Sequence, residues 1–260
     1  MIRVLRWLAV AFSMYSRIPM PEFSWDEDDM AHSLTFFPLV GAVIGALVFA
    51  LHDAPASSYL PAAVRILLTL LIPLLVTGGF HVDGLMDTAD AMHSYASFEK
   101  KQEILKDPHI GAFAVISFVK WYLAFAAAVT AIVLDQKTDA GVILILSLSF
   151  VVSRCLCGLT SLFFPKAKRE GMLAGETKGR AKVTVCMLFI QLAAACCVMV
   201  CADVFRGIPV LVSFALFTVW YARKMKKEFG GVSGDTAGYF VTVSEIVAVI
   251  VLAAGCLYGA

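Results

Sequence analysis

Charge is scarce in this sequence of 260 residues: Asp, Glu, Lys and Arg make up 16% of it and apolar residues 60%, with a mean hydropathy of +0.83. That balance excludes an ordinary soluble domain. The 21 basic and 20 acidic side chains nearly cancel, so the composition offers no basic surface to a nucleic acid. The seven cysteines never form a CxxC pair, which argues against a zinc site and against a disulfide framework. They fall in apolar stretches and read as small core or lipid-facing residues. No Walker A or GxGxxG element occurs, which removes ATP hydrolysis as a power source. Neither GxSxG nor HExxH is present, which removes serine hydrolase and zincin chemistry.

What the chain has in abundance is long apolar runs. A helix needs about 20 residues to cross a hydrocarbon core of about 30 Å. Runs of roughly that length lie at 34–51, 60–80, 111–134, 140–164, 183–204, 207–222 and 239–259. The expectation is an all-α, polytopic membrane bundle of about seven spans, forming a single integral membrane domain over 1–260. Met1 to Tyr15, with Arg3 and Arg6 ahead of a short apolar run and no small-x-small cleavage site behind it, reads as an amphipathic or partly inserted helix.

Sixteen of the 21 Lys and Arg fall before the first span or in the connections 81–110, 165–182 and 223–238. Seven crossings put all of these on one side, which the positive-inside rule makes the cytoplasm, with the C-terminus outside. The alternate loops carry only Lys137 and Arg206. The run Trp25 to Asp29 reads as a solvated helix cap opened by Ser24 or Asp26.

The stretch Gly78-Gly79-Phe80-His81-Val82-Asp83-Gly84-Leu85-Met86-Asp87-Thr88-Ala89-Asp90 is the most informative. Asp83, Asp87 and Asp90 stand at i, i+4 and i+7, about 0°, 40° and −20° around a helix, and so share one face. Like charges so placed repel, and a hard divalent cation is the natural compensation. Mg²⁺ suits oxygen ligands and phosphates better than zinc, which would want more than His81 and His93. The glycines cost helix propensity and point to a close backbone approach.

Smaller signals sit on the same side. Lys106-Asp107-Pro108-His109 is a turn able to offer Lys106 and His109 to a phosphate, although Asp107 before a proline also suits a helix cap. Arg154 and Glu245 are charges inside spans, where a functional role is the default, with snorkelling as the plain reading of Arg154. The connection 166–182 carries six basic residues, Arg180 among them, and serves either anionic groups or lipid headgroups. Gly230 to Gly238 is a glycine-rich turn holding Asp235. Clustered Asp, flanking Lys and Arg, and glycine turns on one side of a membrane suit metal-assisted phosphoryl transfer.

These residues resemble the cobalamin synthase (adenosylcobinamide-GDP ribazoletransferase) family. The block from Gly78 to Asp90 is similar to the family's GG-hydrophobic-H-hydrophobic-DG-hydrophobic-x-DT-x-D hallmark. Arg17-Ile18-Pro19-Met20-Pro21, Phe36 to Gly45, Lys106 to Gly111, Ser153-Arg154, Gly179-Arg180 and Gly234-Asp235-Thr236 with Glu245 match further blocks in order, over roughly residues 12–250. Departures are Pro108-His109 where the family commonly has Ser-Arg, the charges Glu176 and Lys178 around Gly179-Arg180, and Tyr239 and Phe240 in place of small residues.

The resemblance implies transfer of adenosylcobinamide phosphate from adenosylcobinamide-GDP to α-ribazole or its 5′-phosphate, with release of GMP. It implies Mg²⁺, the cytoplasmic membrane of a prokaryote, and association with other late-pathway enzymes. On this reading Asp83, Asp87 and Asp90 are catalytic and metal-binding, with Asp90 completing the site or acting as general base. Asp107 or Asp235 supports a second metal. Lys106, Arg154 and Arg180 hold the diphosphate, and His81, Gly84, His109 and Glu245 contact substrate. Two other classes compete. A CDP-alcohol phosphotransferase would need a D-x2-D-G-x2-A-R spacing that is absent, position 90 being Asp. A transporter would use Arg65, Lys120, Arg154 and Glu245 as relays.

Overall fold

The computed structural model describes residues 3–53, 59–135, 138–167, 173, 177 and 182–258. Within them the chain forms ten helices. They are α1 (Arg3–Tyr15), α2 (Glu27–Asp53), α3 (Ala62–Thr77), α4 (Phe80–His93), α5 (Phe98–Ile104), α6 (Ala112–Leu134), α7 (Ala140–Phe163), α8 (Lys182–Ala202), α9 (Val204–Phe229) and α10 (Gly234–Tyr258). The described residues hold no strand, only one parallel bridge between Lys166 and Val232.

Six helices, α2 and α6 to α10, are long and apolar enough to cross a membrane. The seventh expected crossing, 60–80, is the 16-residue α3, about 24 Å long. It qualifies as a span only when joined to α4, which leaves it at 92°. With three aspartates in 14 residues, α4 does not continue the crossing. It turns across the end of the bundle and lies outside the spanning segments.

Burial sorts the spans into inner and outer. Over their most apolar windows α7 is 72% and α10 67% buried, against 17% for α8 and 22% for α9. So α7 and α10 form the centre, and α8 and α9 turn most of their surface to lipid. The α2 helix packs on α7 through Gly41 and Gly45, where a Cβ would strike the backbone of Phe150 and Ser147.

The amphipathic N-terminal helix expected from the sequence is present and docked. Its apolar face, Ala9 to Phe12 and Tyr15, is buried. The acidic run is the expected solvated cap at Asp26 and Glu27 and departs from it at Asp29. Asp26 does cap α2, its Oδ1 accepting from Asp29 N at 2.7 Å while Asp26 N donates to Asp29 Oδ2 at 3.2 Å, a reciprocal capping box. Yet Asp29 is only 1% exposed, because Arg6 reaches across from α1 to bond both of its oxygens. With Trp7 stacked on His32 at 3.9 Å, this ties α1 to the start of α2.

Candidate active site

The site begins at an elbow. Gly78 and Gly79 have φ of 65° and 82°, a left-handed pair that only glycine adopts cheaply. Their two turns redirect the chain from α3 into α4. The N–H of Arg17 donates to Val76 O at 2.8 Å, bringing the end of α1 to the elbow, and a Cβ on Gly78 would collide with the Arg17 side chain. Between them opens a cleft of about 470 Å³ lined by Ser16, Arg17, Gly78, Gly79, Asp83 and Met86, among others. Arg17 is exposed, and its side chain forms no ion pair with a described residue. The sequence shows Arg17 only within a motif, with no sign of a place in the site. Its signal was the R-hydrophobic-P-x-P pattern, and only the fold brings that pattern to the acidic helix.

On α4 the three aspartates follow the expected face. Asp83 is exposed at the cleft, while Asp87 and Asp90 are partly buried. Asp235 joins them from the first turn of α10. It is set there by a second capping box, in which Ser233 N donates to Thr236 Oγ1 at 2.8 Å and Thr236 N to Ser233 Oγ at 3.3 Å. The two helices approach closely because both contribute glycine: a Cβ on Gly84 would stand 2.5 Å from Asp235 O, and one on Gly238 would stand 2.9 Å from His81 O. Gly84 is buried in this crossing, so the partner it approaches is the backbone of α10. The Asp90 carboxylate abuts Gly111, where a Cβ would collide with it.

Crowding has an electrostatic consequence. Partial burial first, then the charges of Asp83, Asp235 and Asp90, push the Asp87 carboxyl up to about 6. An all-oxygen, all-anionic donor set fits Mg²⁺ chemically. Among the described residues no three His, Cys, Asp or Glu side chains converge on one point.

Behind the carboxylates lies a buried ion pair. Arg154, 1% exposed on α7, bonds Glu245 of α10. Ser153 Oγ donates to the same carboxylate oxygen at 2.6 Å, and Arg154 Nη1 also donates to Phe150 O at 2.9 Å. The guanidinium lies 5.7 Å from the Phe37 ring centroid. Arg154 therefore does not snorkel. His81, 6% exposed, sits between this pair and the cleft, and burial, then the Arg154 charge, drives its imidazole well below the usual range.

The turn at 106–111 meets the acidic face only at Gly111, beside Asp90. Asp107 Oδ1 accepts from His109 N at 3.0 Å and lies 2.6 Å from His109 Nδ1, with Lys106 and His109 exposed and neither of them lining the cleft. Arg180, expected to hold the diphosphate, lies outside the described residues, as do Glu176 and Lys178.

A polytopic helical bundle that sets Asp83 and Arg17 on one cleft, with Asp87, Asp90 and Asp235 clustered beside Asp83, has the charged, one-ended site expected of a membrane transferase. The family model described as cobalamin-5-phosphate synthase matches residues 7–253, and the chain belongs to that family. It is 35% identical over 263 residues to an adenosylcobinamide-GDP ribazoletransferase of Lachnoclostridium phytofermentans, covering 98% of each chain. It is 30% identical to one of Clostridium botulinum over 99% of this chain and 100% of the relative, and 30% identical to one of Listeria monocytogenes over 90% and 92%. No solved structure matches it.

Proposed function

We propose that this chain completes the nucleotide loop of cobalamin. A hydroxyl of α-ribazole, or of its 5′-phosphate, attacks the cobinamide-linked phosphorus of adenosylcobinamide-GDP. The new P–O bond forms as the diphosphate bridge breaks, GMP leaves with the bridging oxygen, and a carboxylate of the α4 face accepts the hydroxyl proton. The observation that carries this reading is that Asp83 and Arg17 line one cleft, while Asp87, within electrostatic reach of Asp83, Asp90 and Asp235, gathers the other carboxylates beside it. The end-to-end match to relatives named for this reaction supports it.

Asp83 and Asp87, with Asp235 facing them, would hold Mg²⁺, which when bound supplies charge neutralisation to the diphosphate and to the departing GMP. Arg17 binds the diphosphate from the opposite wall of the cleft. The Gly84–Gly238 crossing fixes α4 against α10 and the Arg154–Glu245 pair fixes α10 against α7, so that the carboxylates need little rearrangement during transfer. We place the cleft on the cytoplasmic side, supported by the distribution of Lys and Arg. Docking with other late-pathway enzymes belongs to the same proposal and is tested by co-purification.

The deciding experiment is GMP release from adenosylcobinamide-GDP and α-ribazole by purified, detergent-solubilised protein, with and without Mg²⁺. Wild type should turn over only with metal, and Asp83→Ala should lose at least about a hundredfold in kcat with its melting temperature unchanged. Near-normal release by a folded Asp83→Ala would overturn the site assignment. No release by folded wild type would overturn the reaction.

A further inference from the structure

Across Phe80 from the carboxylate cleft lies a second hollow of a different kind. One wall is aromatic: the rings of Tyr15 and Phe37 stand 4.3 Å apart, Phe37 and His81 5.5 Å, and Phe80 and His81 5.4 Å. Another is the start of α10, where Gly234, Ala237 and Gly238 present almost no side chain. At Gly234 a Cβ would meet nothing within 4 Å, so this glycine borders open space and is not there for helix packing. Rings on one side and glycines on another make a slot for a flat body. His81 lines it, more than nine-tenths buried, and His81 Nδ1 finds no hydrogen-bond partner among the described residues. A buried polar atom without a partner is unfavourable until something supplies one.

We infer that this slot receives the planar base of the acceptor nucleoside, with His81 Nδ1 hydrogen-bonded to the base's unsubstituted ring nitrogen. The inference rests on the transferase reading above. Two flat heterocycles enter that reaction, the benzimidazole of α-ribazole and the guanine of the donor. The slot distinguishes them by polarity. Guanine carries several donors and acceptors on its edges, and burying them against mainly apolar walls would leave most unsatisfied. A benzimidazole riboside has a single ring nitrogen free, and the aromatic wall offers the buried His81 Nδ1 to meet it. The location agrees, because Phe80 lines both hollows, the slot on one side and the carboxylate cleft on the other. A base in the slot therefore leads its ribose toward the carboxylates. Without ligand the slot encloses only about 40 Å³, too little for a bicyclic ring. Phe80, 40% exposed at its mouth, must turn outward as the base enters.

The test is steady-state GMP release with each substrate varied in turn. Gly234→Leu adds bulk where the backbone has room and should raise KM for α-ribazole at least tenfold, leaving KM for adenosylcobinamide-GDP within twofold and kcat within threefold. His81→Phe keeps the ring and loses the nitrogen, and should raise the same KM about tenfold, the equivalent of one hydrogen bond. For wild type, free 5,6-dimethylbenzimidazole should compete with α-ribazole and not with the donor, a measurement that needs no variant to fold. The slot assignment is overturned by unchanged acceptor KM in both variants at native melting temperature, or by absence of that competition. A rise in donor KM alone would overturn it in favour of guanine. Failure of wild type to release GMP at all brings down the transferase reading and this inference with it. Normal wild-type turnover with insensitive variants brings down the slot alone.

Discussion

Removing the Arg154 guanidinium leaves Glu245 inside the bundle with the Ser153 hydroxyl as its hydrogen-bond donor. An uncompensated buried charge of this kind costs about 3–5 kcal/mol, so Arg154→Met should sharply lower the melting temperature in detergent. Arg154→Met combined with Glu245→Leu should recover much of that loss, and a double-mutant cycle measures the difference. Asp87 gives a pH test. Its carboxyl titrates near 6 in the folded chain against 3.8 unfolded, so the folded state binds the extra proton, and stability falls as pH rises from about 4 to 6. Asp87→Asn removes that loss and should stabilise the metal-free protein above pH 6 by about 1 kcal/mol, once solvent screening of a half-open group is allowed for. Mg²⁺ titrated at pH 7.5 should raise the melting temperature of wild type more than that of the variant. At this scale the sequence made the carboxylate face legible, because the i, i+4, i+7 spacing is local. It marked Arg154 and Glu245 as costly charges but could not pair them across 91 residues, and it mistook Asp29 for a solvent-facing acid because its partner Arg6 lies on another helix.

The elbow separates two glycines that look alike in sequence. Both carry positive φ, but a Cβ on Gly78 runs into Arg17 while one on Gly79 meets nothing within 4 Å. Gly79→Ala should therefore cost about 1–2 kcal/mol of backbone strain and keep most activity. Gly78→Ala should add displacement of Arg17 and raise KM for the GDP-linked donor several-fold, as initial rates would show. Gly84→Ala puts a methyl against the α10 backbone and should destabilise by about 1–3 kcal/mol, pulling Asp235 away from Asp87 and lowering kcat. Element bounds were readable where hydropathy changes abruptly, as for α6 and α7. They were misplaced where a helix runs on past the apolar core: α2 starts at Glu27 because its capping box does, and α9 continues through Arg223 to Phe229 as a charged extension. The turn between α3 and α4 was hidden because two glycines lower helix propensity whether they serve an elbow or a contact.

For the molecule as a whole, the proposed orientation, which counts the short α3 as a seventh crossing beside the six long helices and puts the carboxylate end in the cytoplasm, requires opposite fates for the two termini. Alkaline phosphatase fused after Tyr258 should be active in intact cells and inactive when fused in the connection between α5 and α6 near Asp107. The reverse pattern would invert the proposed orientation. The lipid-facing character of α8 and α9 was only partly legible, since both read as uniformly apolar, and burial in the assembled bundle is what separates them from α7 and α10. The Arg154–Glu245 pair also orders events during synthesis. Arg154 leaves the ribosome long before Glu245, so α7 enters the bilayer with a cation that has no counterion until the last helix arrives. A truncated product ending before α10 is then a target for membrane proteases, and its half-life in the cell, compared with full-length protein, should be short.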